Sequence, residues 1–160
     1  MDGERSDLTI RTLSQGDLNR LVRMDEQHTG RRRQAWYEGK LARALAESDV
    51  QISLGVEMDG VLVGAVLGSL HYGEFGQPEP SAVLDTVLVD REYHRRGVAA
   101  ALLSQLVKNL NAFHIERLRT EVAWDEHGLV SFFARMGFTP VPRLVLELDI
   151  PRAEKDLRTE

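Results

Sequence analysis

Residues 93–106, YHRRGVAAALLSQL, carry the first pattern in this sequence that could do chemistry. His94, Arg95 and Arg96 can each carry positive charge, and they stand directly before Gly97 and a helix-forming run that begins with alanines. The free N–H groups and the dipole of a helix N-terminus favour anions, and glycine lets a ligand approach the backbone closely. The stretch therefore indicates a site for a phosphorylated ligand; a surface loop with solvated arginines is the alternative.

Composition limits what else the chain can do. Its 160 residues fit one domain with a real core, and 42% hydrophobic with 28% charged residues is typical of a soluble globular protein. The formal net charge of −5 argues against general nucleic-acid binding. The absence of cysteine excludes a disulfide framework, a thiolate metal site and a cysteine nucleophile. With no apolar signal core and no run of about 20 apolar residues, we expect a cytoplasmic location and no membrane span.

The elements that must position residues 93–106 follow from hydrophobic periodicity. LTIRTL predicts a strand, two helices follow with a break at Gly30, and two strand-like runs flank an Asp59-Gly60 turn. GEFGQPEPS predicts a loop, and AVLDTVLV predicts a strand, covered on both faces, that leads into Gly97 and a helix. RLRTEVAW predicts a strand, a short helix ends at Gly137, and FTPV and RLVLELDI predict closing strands.

This order of elements predicts a mixed α/β (α+β) fold, with antiparallel strands from the hairpin and a parallel crossover through the helix after Gly97. A doubly wound dinucleotide-binding domain is disfavoured because the strand–helix junction lacks G-x-G-x-x-G. We expect one domain over residues 1–160, with residues 1–7 and 153–160 as frayed polar tails. The arginine run at residues 31–33 is expected to be solvated.

Two motifs in this sequence resemble the acyl-CoA-binding core of the GNAT superfamily of N-acyltransferases. The run VDREYHRRGVA, residues 89–99, is similar to the family's strand end and its Q/R-x-x-G-x-G/A loop. The run FARMGF, residues 133–138, is similar to the family's Y-x-K-x-G-F. The resemblance covers about residues 82–140. It implies the GNAT fold, a central mixed, mostly antiparallel sheet flanked by helices.

The resemblance assigns the loop to the pyrophosphate of acetyl-CoA. It implies that backbone N–H groups bind the phosphates, the donors being those of Arg95, Arg96, Gly97, Val98, Ala99 and Ala100. The two arginine side chains can also pair with phosphate oxygens. His94 replaces the usual Gln or Arg and can still donate a hydrogen bond. In the family the preceding strand separates from its neighbour and pairs with the pantetheine arm; the matching positions are Val87, Leu88 and Val89.

The resemblance also implies direct transfer of an acetyl group to an amine. Such a reaction needs a base for the ammonium and a donor for the developing oxyanion. Glu121 matches the strand position of a catalytic glutamate in protein-acetylating members, and a surface carboxylate paired with a neighbouring arginine is the alternative. Asp85 is the second candidate base, because a carboxylate within an apolar strand is unusual unless it is paired or functional. A backbone N–H near Leu88 or Val89 is implied as the oxyanion donor.

Two positions depart from the family pattern. Phe133 stands where a tyrosine usually protonates the departing sulfur, and Glu126 stands where an asparagine usually contacts the pantetheine arm. We expect Phe133 to pack in the core, with a contact to the thioester as the alternative. Either water protonates the thiolate, which the acidity of thiols permits, or the chain binds acyl-CoA without catalysis.

The sequence therefore predicts an N-acetyltransferase that moves an acetyl group from acetyl-CoA to a primary amine on a protein N-terminus, a lysine or a small molecule. A non-catalytic acyl-CoA-binding or regulatory module of the same fold is the alternative. We expect no metal, no nucleic-acid partner and no membrane partner, and the resemblance adds a homodimer as an expectation. The segments HTGRRRQAWYEGK and HYGEFGQPEP are expected to shape the acceptor site.

Overall fold

The computed structural model describes residues 8–46, 52–75 and 77–158. Its elements are β1 Thr9–Thr12, α1 Leu18–Thr29, α2 Gln34–Ala46, β2 Leu54–Met58, β3 Val61–Glu74, β4 Gln77–Val89, α3 Val98–Ala112, β5 Leu118–Thr120, α4 His127–Arg135 and α5 Ile150–Arg158. Short 3-10 helices at Gln15–Asp17 and Arg91–Tyr93 precede α1 and α3. None of the helices in these described ranges is both long enough and apolar enough to cross a membrane.

The strands form one sheet in the order β1-β2-β3-β4-β5. The first four are antiparallel neighbours, whereas β5 runs parallel to β4 and is reached through α3. The Asp59-Gly60 turn that joins β2 to β3 has positive φ at both residues, as a tight hairpin requires. The predicted mixed α/β fold with a parallel crossover is therefore confirmed.

The two faces of the sheet bury two separate apolar clusters. α1 and α2 cover one face, where Leu13, Leu21, Val22, Met24, Tyr37, Leu41, Leu62, Ala65, Leu67 and Leu88 are buried together. α3 covers the other face, where its residues Val98, Leu102, Leu103, Leu106 and Leu110 pack with side chains of β2, β3 and β4 and with Phe133. Burial of apolar surface stabilises a protein by about 25 cal/mol per Å², so these two clusters hold both helical layers to the sheet.

The β3–β4 hairpin replaces the loop predicted for GEFGQPEPS. Both strands continue into it, with Tyr72 opposite Pro80, and Gly73 has φ +82° at the irregularity between Tyr72 and Glu74. Prolines fit here because β2 and β5 pair with the hairpin only nearer its base. A proline nitrogen cannot donate a hydrogen bond, and at this tip no neighbouring strand needs one. The composition of the segment indicates a loop, but its position at the projecting tip of the hairpin permits it to form strands.

The C-terminal region differs most from the sequence prediction. FTPV and RLVLELDI do not form closing strands: residues 139–149 pair with no other strand in the described structure. Residues 153–158, predicted as part of a frayed tail, continue the helix α5, whose first turn is capped by Asp149 through the N–H of Arg152. An alternating pattern specifies a strand only when an edge is there to pair with it, and the sequence cannot show that edge.

The connection between α1 and α2 is held by an ion pair between a buried aspartate and an exposed arginine. Arg33 donates two hydrogen bonds, of 2.8 and 2.5 Å, to the Asp25 carboxylate, and its guanidinium lies over the Trp36 ring. Burial of Asp25 opposes its ionisation, but the hydrogen bonds from Arg33 and Tyr37 outweigh this, so the pKa of Asp25 lies below its usual range. Arg33 is exposed, as are the two arginines before it, so the run does lie at the surface; the Arg33 guanidinium is in addition paired with a buried carboxylate.

Asp25→Asn is expected to lower the free energy of unfolding by about 1–3 kcal/mol at pH 7, because Arg33 loses a charged, bidentate partner at a site only 3% exposed. Because the folded-state pKa of Asp25 is depressed, the stabilisation is present at neutral pH and is lost as the pH falls below about 4. Urea unfolding at pH 7 and at a pH below about 4 should show that the difference in free energy of unfolding between wild type and variant narrows in acid. Asp59→Asn, in the exposed hairpin turn, is the control, and its free energy of unfolding should equal that of the wild type.

Candidate active site

The loop between β4 and α3 is bent by two residues in the left-handed region. Arg95 has φ +63° and Gly97 has φ +74°, and α3 begins at the next residue, Val98. A Cβ built on Gly97 would meet no atom within 4 Å, so the space beside this glycine is open. The chain thus forms a concave turn directly before a helix N-terminus, which is the geometry of an anion-binding nest.

The main-chain donors of this turn are free to bind a ligand. In the part of the chain that the structure describes, no N–H of residues 95–100 donates to another residue; the first bond of α3 runs from Ala101 N–H to the Gly97 carbonyl at 2.9 Å. Six successive donors are thereby left at the positive end of a 15-residue helix. We call residues 95–100 the N–H cradle.

The position of the cradle is set by a glycine in β3. A Cβ on Gly64 would lie 2.5 Å from Val98 Cγ1 and 3.3 Å from Leu102 Cδ1, too close for either contact to persist. Glycine at position 64 therefore lets the first turn of α3 rest directly on the sheet. Val98 is buried in this contact, so only its main chain can face a ligand.

A buried aspartate fixes the start of the loop. Asp90 is buried, accepts hydrogen bonds from the Glu92 N–H at 3.0 Å and from Arg20 Nη2 at 2.8 Å, and lies 3.4 Å from Gln27 Nε2. Burial opposes ionisation of this carboxyl, but these hydrogen bonds hold the pKa of Asp90 below its usual range. Asp90 stays charged, and it ties the end of β4 to α1.

The three polar side chains before Gly97 take different directions. Arg96 stacks on the Tyr93 ring at 5.2 Å and Arg95 is exposed. His94 instead turns toward β4: its Nε2 lies 3.2 Å from the Val89 carbonyl oxygen, and its ring stacks on His28, whose Nε2 lies 3.0 Å from the same oxygen. Of the three, His94 contacts the end of the strand, and the two arginines stay at the surface of the loop.

β4 has an open edge beside the cradle. β5 pairs with β4 only over Ala82–Leu84, so none of the strands that the structure describes covers residues 85–89 on that side. The Asp90 N–H donates to the Val63 carbonyl of β3 at 2.8 Å. Because main-chain groups alternate sides along a strand, those of Leu88 also point to β3, and those of Val87 and Val89 point to the open edge. Of the two predicted oxyanion donors, the N–H of Val89 faces this edge and that of Leu88 does not.

The two candidate bases stand where β4 and β5 separate. Leu84 and Thr120 are the last paired residues, and Asp85 and Glu121 follow them directly. Asp85 is the extra residue at an irregularity in the β3–β4 pairing, and its carboxylate contacts Lys40 Nζ of α2 at 2.5 Å and accepts from Thr86 Oγ1 at 2.7 Å. Glu121 is exposed and forms no ion pair with any residue that the structure describes.

A cavity of about 230 Å³ opens beside Asp85, between α2 and the β3–β4 hairpin. Its lining residues are Lys40, Arg43, Ala44, Leu67, Gly68, Ser69 and Asp85. Two cationic side chains and one carboxylate give it a positive balance. The hairpin and α2 thus shape a cavity at the point where the strands diverge.

The two positions that depart from the family motif lie on α4. Glu126 is the residue before the helix, is exposed and makes no capping hydrogen bond with its side chain. Phe133 is only 6% exposed, and its ring centroid lies 5.3 Å from that of Phe132 and 4.9 Å from that of Phe138. Phe133 therefore packs in the core, as the sequence predicts.

Phe133→Tyr is expected to destabilise the protein without raising any acetylation rate. The new hydroxyl would enter a site lined by two other phenyl rings, and an unsatisfied buried hydroxyl costs about 1–3 kcal/mol. Thermal melts measure this cost, and Phe132→Tyr is the matched control because that neighbouring ring is partly exposed. A Phe133→Tyr protein that is as stable as wild type and faster would show that the hydroxyl reaches the reacting sulfur.

Sequence reasoning missed the side chains that α1 and α2 contribute. Arg20, Gln27 and His28 of α1 all contact the end of β4 or the loop after it, and Lys40 of α2 contacts Asp85. The i, i+7, i+8 spacing of the first three places them on one helical face, a signal that was available in the sequence. Across the described residues, no group of three or more His, Cys, Asp or Glu side chains could hold a metal ion.

A bent loop with free N–H groups, the N-terminus of α3 and an open strand edge define a protein that can hold a phosphorylated ligand with an amide-bearing arm. The family model described as the acetyltransferase (GNAT) family matches residues 17–138. The chain belongs to this family. A search of curated proteins finds no match.

Solved structures show the same fold at low sequence identity. An aminoglycoside N-acetyltransferase in complex with CoA is 16% identical with a TM-score of 0.78, covering 93% of this chain and 99% of its own. An aminoglycoside 6'-N-acetyltransferase from Acinetobacter baumannii is 18% identical with a TM-score of 0.75, covering 89% and 98%. A transcriptional regulator from Bacillus halodurans is 14% identical with a TM-score of 0.75, covering 89% and 99%.

Proposed function

We propose that this protein transfers an acetyl group from acetyl-CoA to a primary amine by direct attack. The observation that carries the proposal is the N–H cradle lying in line with the open edge of β4. Six free donors at the positive end of α3 suit a pyrophosphate, and the outward main-chain groups of Val87 suit an arm that carries amides. Arg95 and Arg96 add positive charge at the rim of the cradle.

Residues at the strand divergence and at the end of β4 have defined tasks in this reaction. Glu121 takes the proton from the ammonium, so that the amine lone pair can attack the thioester carbon and form the C–N bond. The N–H of Val89 donates to the oxyanion of the tetrahedral intermediate. The nitrogen of the intermediate then loses its second proton to water, and the C–S bond breaks. The leaving thiolate takes a proton from water, because Phe133 has no hydroxyl to supply one. Asp85 is the second candidate for the base.

The cavity beside Asp85 receives the acceptor amine. It lies at the strand divergence, next to the Asp85 carboxylate, and on the opposite face of the sheet from the cradle's helix. Its positive balance from Lys40 and Arg43 disfavours polycationic acceptors such as aminoglycosides, which the neighbouring structures carry in their names. We infer an acceptor in which the amine is accompanied by an acidic group.

A radiolabelled acetyl-CoA assay against a matched amine panel tests the proposal. The panel contains peptides with acidic or basic N-terminal residues, acidic and basic amino acids, polyamines and an aminoglycoside, and CoA binding is measured by calorimetry in parallel. We expect transfer to an acidic acceptor in preference to its basic counterpart. Preference for the aminoglycoside would contradict the inference from the cavity.

A non-catalytic acyl-CoA-binding module is the second candidate function, and the absence of a hydroxyl at Phe133 favours it. Tight CoA binding without transfer to any member of the panel would support this candidate over the enzyme. Absence of CoA binding would contradict both, because both depend on the N–H cradle.

A further inference from the structure

The two cations that line the cavity beside Asp85 differ in what they contact. Lys40 is engaged, because its Nζ lies 2.5 Å from Asp85 Oδ1 and 5.0 Å from the centre of the Trp36 ring. Arg43, three residues further along α2 and on the same side of the helix, is exposed. It forms no ion pair or hydrogen bond with any residue that the structure describes. The guanidinium of Arg43 is therefore available to a ligand in the cavity.

The Asp85 carboxylate is engaged through only one of its two oxygens. Lys40 Nζ at 2.5 Å and Thr86 Oγ1 at 2.7 Å both approach Oδ1. Within the described part of the chain, no side chain or main-chain N–H donates a hydrogen bond to Oδ2. The Asp85 side chain is 37% exposed, so a ligand can reach it. An ionised carboxylate oxygen of this kind suits an ammonium group.

One small cavity thus holds an available cation and an available anionic oxygen. The rest of its lining is apolar or uncharged. Arg43 can bind a carboxylate through two parallel hydrogen bonds, and Asp85 Oδ2 can accept one from an ammonium. A ligand that carries both groups satisfies both residues. A simple amine would leave Arg43 unpaired, and a polycation would be repelled by Arg43 and Lys40.

The size of the cavity favours a small ligand. Its volume of about 230 Å³ is below the range of about 300–1,000 Å³ that is typical of pockets for drug-sized molecules. A free amino acid is small and carries an amine and a carboxylate in one molecule. The N-terminus of a peptide instead presents a neutral amide carbonyl beside its amine, which cannot pair with a guanidinium as a charged group does.

We propose that the acceptor is a free amino acid, and that Arg43 determines this specificity by binding its carboxylate. Asp85 Oδ2 holds the ammonium at the point where β4 and β5 separate, which is where Glu121 begins the transfer reaction. The inference rests on the proposed acetyl transfer and adds to it a substrate class and a residue that selects it. Lys40 keeps Asp85 in place and does not itself bind the acceptor carboxylate.

Steady-state kinetics with free amino acids, each compared with its own carboxamide, test the role of Arg43. The carboxamide keeps the shape and loses the negative charge, so kcat/KM in the wild type should favour the acid by about 10- to 100-fold. Arg43→Gln should remove the preference, and Arg43→Lys should keep part of it because the charge remains without the planar fork. Comparing the same two acceptors in each protein cancels the intrinsic reactivity of the amines.

Arg23→Gln is the matched control, because Arg23 is exposed on α1 and does not line the cavity. It should show the same preference as the wild type. A wild type that uses the carboxamides as well as the acids, or a preference that survives Arg43→Gln, would overturn the role of Arg43.

Calorimetric titration of the CoA-saturated protein with the same acceptors separates this inference from the proposed reaction. Binding of an amino acid that Arg43→Gln abolishes, without any acetyl transfer, would support the site and contradict the reaction. Transfer that is indifferent to the carboxylate would support the reaction and overturn the site. Absence of both binding and transfer with every free amino acid would also overturn the site.

Discussion

Gly97→Glu is expected to abolish CoA binding, which is the largest effect that we expect from a substitution at the cofactor site. The carboxylate would project into the open space beside Gly97, where the N–H cradle is positioned to receive phosphates. Like charges 4 Å apart repel by about 1 kcal/mol in water and by about 4 kcal/mol near a protein surface, so charge repulsion alone should lower affinity by roughly 5-fold to 10³-fold, and the bulk of the side chain adds to the loss. Calorimetric titration with CoA measures the loss.

The control for Gly97→Glu is Gly60→Glu. Gly60 has φ +77° and also has no atom within 4 Å of a built Cβ, so its substitution imposes a similar backbone strain and the same change in charge outside the cradle. Its CoA affinity should equal that of the wild type. A folded Gly97→Glu protein that binds CoA normally would show that the pyrophosphate lies elsewhere.

Glu121→Gln is expected to reduce turnover by roughly 10²–10⁴-fold while leaving CoA affinity unchanged, because the amide keeps the shape of the side chain but cannot accept the ammonium proton. Turnover is measured with the acceptor that the amine panel identifies, at saturating concentrations of both substrates. The loss should appear in kcat, because Glu121 lies at the strand divergence and not in the cradle.

Asp85→Asn is the matched comparison for Glu121→Gln. The Asp85 carboxylate is already engaged by Lys40 and Thr86, so its amide variant should mainly raise KM for the acceptor by disturbing the cavity. If Asp85→Asn loses kcat and Glu121→Gln keeps it, the base is Asp85. Circular dichroism of both variants shows whether the fold is retained.

The strand–loop–helix at the cradle could be predicted because its signals are local. A lone glycine after basic residues, followed by leucines at helical spacing, needs no distant partner to be recognised, and Gly97 does adopt a positive φ before α3. The fold class followed in the same way, from the order of periodic segments and the Asp59-Gly60 turn.

Features that depend on distant partners could not be predicted. Arg33 has the composition of a solvated run, but a buried carboxylate eight residues earlier pairs with it. His94 stands at the first position of the family's loop motif, yet its imidazole contacts the Val89 carbonyl together with His28, 66 residues away. RLVLELDI alternates as a strand should, and whether it pairs depends on an edge that no local pattern reveals.

Gly64 makes the location of the cradle a property of the core. Because Val98 and Leu102 rest where any larger side chain at position 64 would have to go, a substitution near the start of β3 would displace α3 and its free N–H groups together. The cavity that we propose for the acceptor is built from other elements, α2 and the β3–β4 hairpin. Over evolution, acceptor preference can therefore drift through changes in α2 and the hairpin while the cofactor end stays fixed, and variants selected for a new amine should carry few changes around Gly64.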